Sequence, residues 1–515
     1  MKPESFLHGA FVLTVAGIVV KVLGAVYRIP FTRIVGSEGV GLYQMAYPIY
    51  TALLAFSTSG IPIAVSLLVA EKVACGDRTG ARQVFYLSLG PLFFLGLFLS
   101  LALFRAAPYL AGEVLGDPRA YYPLAGIAPA VFVISIVSAF RGYFQGWRLM
   151  WPTALSEVVD QVIRVGTVFW AALSLTNRGV EFAAAGAAFG AVTGGCGSLF
   201  VLGCLYRWLE RRNFTPAPGR RMPVGFRGSL GMLRRLIAYA LPVSAGSMVL
   251  PLVQTIDAVI IPKRLQAGGY TVQQATSLFG QFSGMAGTLV YIPAIFTVSL
   301  ASSLVPHVAA SLAQGNREEA GERIATAMRI TTILCLPAAA GLMALAAPIT
   351  DFLFGDPGAG EVTAWLAPAA LFSGLQQTTS GALQGLGNTW LPVLNLAVGC
   401  AVKTLCNYYL TVLPGLGVKG AALGSILGFA VSFFLNYWGV RALTRRRAAR
   451  LGLPRPLLAA TIMMAALPVV YRLLESLGNA AATGLAVVAG AAIYFAVLIL
   501  TKEIDIVDLR RFTRR

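Results

Sequence analysis

Basic residues stand inside sequence that is otherwise apolar enough to cross a membrane. Lys21 and Arg28 flank the apolar run VLGAVY, and Arg33 follows five residues later. A cation in hydrocarbon costs about 2.5 to 3.5 kcal/mol on insertion scales, so such residues face a water-filled cavity or a partner. Lys21 and Arg28 are seven residues apart and share one helical face. These cations predict a site for an anionic substrate. For Arg28 and Arg33, the alternative is snorkelling to the outer interface.

A second group of charges combines two carboxylates with a cation. Glu157, Asp160 and Arg164 lie on one helical face and can neutralise one another. Two interpretations stay open, namely a cation or proton site that couples to an ion gradient and a structural ion network. Asp257 has no cation within one helical turn of sequence. Asp257 either completes an ion site, pairs with a cation from the other half, or is a buried, protonated acid.

The composition is that of an integral membrane protein. Of the 515 residues, 57% are hydrophobic and 12% are charged, whereas a soluble domain has about 25% charged residues. The apolar stretches are long, which favours membrane helices over a β-barrel. The net charge of +19 fits topology-setting residues at span ends, so we predict no nucleic-acid partner. The cysteines and histidines have no ligand spacing, and we expect no metal or cofactor.

The apolar segments predict an all-α fold with about fourteen membrane helices. The predicted spans are 6–32, 39–70, 84–107, 121–140, 151–174, 182–206, 236–261, 274–312, 328–350, 362–384, 390–412, 420–440, 456–474 and 480–500. We group the chain into an N-lobe (1–208), a basic linker (209–235), a C-lobe (236–440), a basic loop (441–455), two further helices (456–500) and a basic tail (501–515). Most Lys and Arg residues outside the spans, including Arg141, fall on the side of both termini. The positive-inside rule therefore predicts that the termini, linker, loop and tail are cytoplasmic.

The two lobes repeat each other in sequence. Gly-Asp-Arg at 76–78 recurs as Gly-Asn-Arg at 315–317, 239 residues later, and GAAFG at 186–190 recurs as GAALG at 420–424. An even number of spans per half predicts two parallel six-helix repeats with a substrate site between them. The 239-residue offset carries Arg164 onto Lys403. Lys403 is therefore a candidate substrate cation, although its neighbours resemble ordinary packing residues.

Pro62 and Pro293 fall inside the second and eighth predicted spans. Proline removes a backbone hydrogen bond and bends a helix. We predict kinks at both positions. They either shape and gate a cavity or have no gating role.

Several stretches resemble one family of membrane proteins. They are the N-terminal segment through KVLGAVYRIP, IPIAVSLLVAEK at 61–72, RGYFQGW at 141–147 and SLASSLVPHVA at 299–309. In this order they are similar to the polysaccharide-export branch of the MOP flippase superfamily, especially its stage V sporulation protein B and Gram-positive MurJ-like group. The resemblance covers nearly the whole chain. It implies a flippase, not an enzyme, that moves an undecaprenyl-diphosphate-linked sugar such as lipid II to the outer leaflet by alternating access.

The resemblance also implies a setting in peptidoglycan or spore-cortex synthesis at a bacterial cytoplasmic membrane. Lys21-x-x-Gly24 matches the cationic first-span motif of the lipid II flippases, so the substrate role carries over to Lys21 most directly. The implied partners are the lipid-linked oligosaccharide, membrane lipids and cell-wall synthesis enzymes. Unlike the Gram-negative lipid II flippases, the chain has no charge at 287–291 and no acid at 39–44. Coupling to Na⁺, H⁺ or the membrane potential therefore stays open.

Two other functions stay open from the sequence. A MATE-like multidrug exporter would need acids for cationic drugs more than a cationic first span. A polytopic glycosyltransferase or polymerase usually displays an acidic or His-containing catalytic loop outside the membrane, whereas the outer loops here are short.

Overall fold

Every regular element that the described residues form is helical. The computed structural model describes residues 6–58, 60–213, 226–444 and 452–503. The α-helices are α1 (Phe6–Val26), α2 (Arg28–Thr58), α3 (Ile61–Ala74), α4 (Arg78–Tyr109), α5 (Tyr121–Gly146), α6 (Trp151–Leu175), α7 (Val180–Asn213), α8 (Phe226–Ala267), α9 (Val272–Phe279), α10 (Gly287–Val290), α11 (Ala294–Ala313), α12 (Arg317–Ala344), α13 (Ala346–Phe354), α14 (Gly358–Leu366), α15 (Ala369–Gly385), α16 (Trp390–Leu410), α17 (Val418–Leu443), α18 (Pro454–Leu474) and α19 (Asn479–Leu500). Two π-helical segments, Leu110–Leu115 and Gly280–Ala286, extend α4 and α9.

Among the described residues, 11 helical stretches are long and apolar enough to cross a membrane. The first, Val12–Ala74, contains two predicted spans, and the seventh and tenth predicted spans correspond to α8 and α15. The protein is therefore an all-α polytopic membrane protein, as predicted. Fourteen spans are compatible with these helices, and that count stays a prediction.

The chain divides into two compact units, Met1–Val259 and Ile260–Arg515. In the first unit an apolar core lies among α3, α4, α5, α7 and the beginning of α8. In the second unit one core lies among α11, α12, α15 and α17, and another joins α12 to α18 and α19. Parts of the predicted linker, loop and tail (214–225, 445–451 and 504–515) lie outside the described residues. The predicted lobe boundaries stay predictions.

The internal repeat is visible in the contacts inside each unit. A Cβ atom placed on Gly142 of α5 would lie 2.8 Å from the carbonyl oxygen of Pro62 in α3. One placed on Gly381 of α15 would lie 2.7 Å from the carbonyl oxygen of Ala301 in α11. Both members of this second pair stand 239 residues after those of the first. Small residues allow helix backbones to approach this closely, and the same crossing is built twice.

The same offset relates the beginnings of α4 and α12. The Asp77 carboxylate accepts a hydrogen bond from the Gly80 N–H at 2.7 Å, and the Asn316 side chain accepts one from the Glu319 N–H at 3.1 Å. Each side chain satisfies a backbone donor that has no partner within its own helix. The repeated Gly-Asp-Arg and Gly-Asn-Arg motifs are therefore equivalent helix N-termini.

Pro62 and Pro293 lie at breaks between helices. α2 ends at Thr58 and α3 begins at Ile61, with Pro62 in its first turn. α10 ends at Val290, and α11 begins directly after Pro293. Proline fits a helix start because the N–H that it lacks would have no helical partner there. Both prolines are thus at helix starts and not at kinks within continuous helices, while gating stays a prediction.

Candidate functional site

Arg28 begins α2, directly after Tyr27, the residue that joins this helix to α1. Tyr27 is buried and Arg28 is half-buried. The Arg28 guanidinium interacts with the phenol groups of Tyr27, Tyr43 and Tyr47. A cation predicted from its place in an apolar segment therefore lies among neutral hydrogen-bonding groups.

A break at Gly36 makes this arrangement possible. Arg28 and Tyr43 are fifteen residues apart, which corresponds to about 22 Å along a straight helix, beyond the reach of their side chains. At Gly36 the backbone has φ 69° and ψ −179°, a non-helical conformation that favours glycine. The chain changes direction there, so the beginning of α2 lies beside its later part.

Three tyrosines form one face of α2 beyond the break, and we call Tyr43, Tyr47 and Tyr50 the tyrosine row. Their spacings of four and three residues place them on one side of a helix. The ring centroids of Tyr43 and Tyr47 are 5.4 Å apart, and those of Tyr47 and Tyr50 are 5.9 Å apart. Tyr43 and Tyr50 are buried. The row is a rigid series of neutral hydroxyl groups.

Arg164 of α6 interacts with all three tyrosines of the row, most strongly with Tyr50. Its Nη2 donates to Asp160 Oδ1 at 3.0 Å. Its Nε is buried and has no hydrogen-bond partner among the described residues. An unsatisfied buried donor costs about 1–3 kcal/mol. The Tyr43 and Tyr47 phenols are therefore within electrostatic reach of both Arg28 and Arg164, and the Arg164 Nε is an unused donor.

A third arginine, Arg141, lies close to the same carboxylates. The predicted fourth span ends at residue 140, just before Arg141, whereas α5 continues past it to Gly146. The side of the membrane on which Arg141 lies stays a prediction. Its Nε donates to Ser156 Oγ of α6 at 3.2 Å, and its Nη2 donates to Ser198 Oγ of α7 at 3.3 Å. Its Nη1 lies 3.7 Å from Glu157 Oε1. Arg141 thus ties three helices together.

The charges form two separate pairs instead of one shared cluster. Asp160 pairs with Arg164, whereas Glu157 pairs with Arg141 and not with the cation on its own helix. Arg28, Arg141 and Arg164 bring three guanidinium groups to these helices among the described residues. Guanidinium donors suit an anionic ligand.

The other predicted site residues are not among the contacts described above, and the side chain of one of them lies outside the described residues. The backbone of Lys21 belongs to α1, but its side chain lies outside the described residues. Arg33 is exposed on α2, and Asp257 is buried on α8. Lys403 is half-buried on α16 of the second unit. Their functional roles stay predictions.

The tyrosine row and the contacts of Arg141 were not predicted from the sequence. The spacing of the three tyrosines was the available signal, because residues four and three apart face one way. In the ranges that the structure describes, no group of three or more His, Cys, Asp or Glu is arranged to hold a metal ion. The arrangement offers guanidinium and phenol donors of the kind that suit an anion.

The second unit builds the corresponding helix junction with neutral side chains. The 239-residue offset carries Arg141 onto Ser380 and Ser156 onto Asn395. Here Asn436 Nδ2 donates to Ser380 Oγ at 3.0 Å, and Asn395 Nδ2 donates to Asn436 Oδ1 at 2.9 Å. The arginine at this junction is therefore a feature of the first unit alone.

Comparison with known proteins assigns the family. The family described as "Polysaccharide biosynthesis protein" matches residues 6–311. Stage V sporulation protein B of Bacillus subtilis is 30% identical over 440 residues, which cover 85% of this chain and 83% of that protein. The chain belongs to the polysaccharide biosynthesis protein family. This confirms the resemblance to the polysaccharide-export branch of the MOP superfamily.

This polysaccharide biosynthesis protein is also similar to other known proteins. The lipid II flippase MurJ of Bacillus subtilis is 29% identical over 455 residues, which cover 84% of this chain and 82% of that protein. A solved structure of lipid II flippase MurJ in an inward closed conformation has a TM-score of 0.66 at 14% identity, covering 96% of this chain and 99% of that one. The MatE family matches residues 283–409. The fold is therefore that of MOP superfamily transporters.

Proposed function

We propose that the protein is a flippase, not an enzyme, for an undecaprenyl-diphosphate-linked sugar, with lipid II as the cargo. It moves this precursor from the inner to the outer leaflet by alternating access, in peptidoglycan or spore-cortex synthesis. Relatives named as a lipid II flippase and a stage V sporulation protein support the substrate class. The observation that carries the proposal is the Arg164–Asp160 pair inside apolar helices, with Arg28 and Arg164 both within electrostatic reach of the tyrosine row.

The chemistry of the cargo matches these groups. Its diphosphate and sugar are too polar to cross hydrocarbon without compensating partners. A guanidinium offers a planar set of donors that fits phosphate oxygens, and a phenol adds a donor without adding charge. The isoprenoid tail remains in lipid throughout. Fixed donors inside a membrane protein thus replace the water that the headgroup loses.

The remaining assignments complete this proposal. Lys21, Arg33 and Lys403 are further substrate cations. Glu157, Asp160, Arg164 and Asp257 serve either coupling to Na⁺, H⁺ or the membrane potential or a structural charge network. The protein lies in a bacterial cytoplasmic membrane with both termini in the cytoplasm, and cell-wall synthesis enzymes are its partners.

Direct binding tests the substrate class. Native mass spectrometry of the purified full-length protein with undecaprenyl diphosphate compares the wild type with a Lys21→Ala/Arg28→Ala double variant. Arg178→Ala is the matched control, because Arg178 is exposed after α6. We expect the double variant to lose binding and the control to keep it. Absence of wild-type binding would reject the diphosphate-lipid substrate.

A MATE-like multidrug exporter is the second candidate, supported by the MatE match at residues 283–409. Organic cations require available carboxylates, whereas Asp160 and Glu157 each have an arginine partner. Drug susceptibility of cells that express the protein distinguishes the two transporters, and we expect no change. A sugar-transfer assay with donor and acceptor lipids tests the glycosyltransferase alternative, and we expect no product.

A further inference from the structure

We propose that Arg164 is a second ligand for the diphosphate and that Asp160 is its displaceable counterion. This inference rests on the proposed function and extends it to two residues of α6. Without cargo, Asp160 holds the Arg164 guanidinium beside the tyrosine row. When the diphosphate enters, its oxygens take over Arg164, and Arg28 holds the same headgroup.

Both guanidiniums lie within electrostatic reach of the same phenols. Arg28 and Arg164 are 136 residues apart in the chain, yet both interact with Tyr43 and Tyr47. A diphosphate has two charged phosphoryl groups and can accept donors from two cations at once. The shared tyrosines therefore mark where one headgroup contacts both arginines.

Arg164 has unused capacity for this ligand. A guanidinium has five N–H donors, and the Arg164 Nη2 donates to Asp160 at 3.0 Å. The buried Nε has no hydrogen-bond partner among the described residues. A phosphate oxygen supplies the missing acceptor. The negative charge of the phosphate also competes with the Asp160 carboxylate for the Arg164 guanidinium.

The fold does not require the Asp160–Arg164 pair. In the second unit Lys403 takes the place of Arg164, and Gly399 takes the place of Asp160. The helix crossing is nevertheless the same. In the first unit, a Cβ atom on the facing glycine of α7 would lie 3.1 Å from the carbonyl oxygen of Arg164. In the second unit, a Cβ atom on the facing glycine of α17 would lie 3.1 Å from the carbonyl oxygen of Lys403. One repeat thus builds this crossing with glycine at the position of the carboxylate, so the crossing itself does not need the Asp160 carboxylate.

Asp160 has a defined place beside α7. A Cβ atom on Gly194 would clash with Asp160 Oδ1 and would lie 2.6 Å from the Asp160 carbonyl oxygen. Glycine at this position leaves the space that the carboxylate occupies. The small residue therefore keeps the counterion next to Arg164.

Competitive binding of undecaprenyl diphosphate and undecaprenyl monophosphate to the purified full-length protein tests the inference. We expect Arg164→Gln to weaken diphosphate binding about tenfold, because one bidentate cation is lost. We expect Asp160→Asn to tighten it several-fold, because the competing carboxylate is removed and the cation remains. Arg164→Lys should keep binding but lose part of the preference for diphosphate, because the planar fork is lost.

Glu319 and Arg323 offer a matched control, since they form the same four-residue pair on α12 with Nη2 2.6 Å from Oε1. Arg323→Gln and Glu319→Gln should leave binding unchanged. Diphosphate binding by Arg164→Gln within about twofold of the wild type would overturn the inference and leave the proposed function intact. Absent wild-type binding would overturn both.

Unfolding temperatures of the variants distinguish a loss of binding from a loss of folding. If Arg164→Gln does not fold, Asp160→Asn carries the test, because it keeps every cation. Tighter binding by Asp160→Asn supports a displaceable counterion. Unchanged or weaker binding, with a lowered unfolding temperature, identifies the pair as structural and overturns the inference.

Discussion

The rings of Phe31 and Tyr43 pack edge to face, with their centroids 5.7 Å apart. Twelve residues of straight helix span about 18 Å, so this contact exists only because the chain turns at Gly36. A Cβ atom on Gly36 would meet nothing within 4 Å, and its φ is +69°. The backbone conformation alone therefore requires glycine here. The position of Arg28 beside the tyrosine row depends on this one residue.

Gly36→Ala should destabilise the protein by about 1–3 kcal/mol, because an L residue is strained in this backbone conformation. It should also weaken binding of undecaprenyl diphosphate, since relaxation to a continuous helix separates Arg28 from Tyr43. Thermal unfolding and native mass spectrometry measure the two effects. Gly17→Ala is the control, because Gly17 is helical with open space around it. Equal stability and binding in both variants would contradict the role of the break.

Gly142→Ala and Gly381→Ala should be similarly destabilising. Their added methyl groups would lie 2.8 and 2.7 Å from the facing carbonyl oxygens of α3 and α11, and overpacking of this kind costs about 1–3 kcal/mol. Gly90→Ala is the control, because nothing lies within 4 Å of its Cβ position. Thermal unfolding of the three variants checks the prediction. Tolerance of one repeat glycine but not the other would contradict the equivalence of the crossings.

Arg141→Met should lower the free energy of unfolding by about 2 kcal/mol, because bonds from a charged donor to Ser156 and Ser198 are lost. Adding Glu157→Gln should restore part of this loss, since the carboxylate no longer lacks its cation. Unfolding experiments on the single and double variants give the coupling. Strictly additive losses would show that Arg141 and Glu157 act independently.

Asp77 should make stability dependent on acidic pH. The hydrogen bond from the Gly80 N–H, assisted by Lys72, holds the pKa of Asp77 below its ordinary value of 3.8. Because the folded-state pKa is depressed, this contribution is present above pH 3.8 and is lost as pH falls through the folded-state pKa. Unfolding temperatures of the wild type and Asp77→Asn should therefore converge as the pH is lowered.

Asn316 provides the reciprocal control for Asp77. Asn316→Asp should give a weaker pH dependence at the equivalent end of α12, because the Asn316 Nδ2 donates to Glu319 Oε2 at 3.2 Å and an aspartate there would face that carboxylate. Asp77→Ala should cost about 1 kcal/mol at neutral pH through loss of the cap. A difference between the wild type and Asp77→Asn that does not vary with pH would contradict the pKa shift.

Much of the fold was predictable from local sequence. Long apolar runs identify membrane helices because each span must be apolar along its own length. The repeat was predictable because equivalent helix ends and crossings need the same small or capping residues, such as Gly142 and Gly381. The cation Arg28 was recognisable for a similarly local reason, since a charge inside an apolar run is costly wherever the chain folds.

The sequence by itself thus determined the membrane class, the helical repeat and the presence of charges within the spans. Only the tertiary structure decided which charges meet. Glu157 pairs with Arg141 of another helix and not with the cation on its own face, and Arg164 reaches tyrosines more than a hundred residues earlier in the chain. The physical reason is that spacing along a helix sets the face of a side chain, whereas its partner depends on which helix packs there. The tertiary structure also decided the break at Gly36, because glycine permits a turn and tertiary contacts select it.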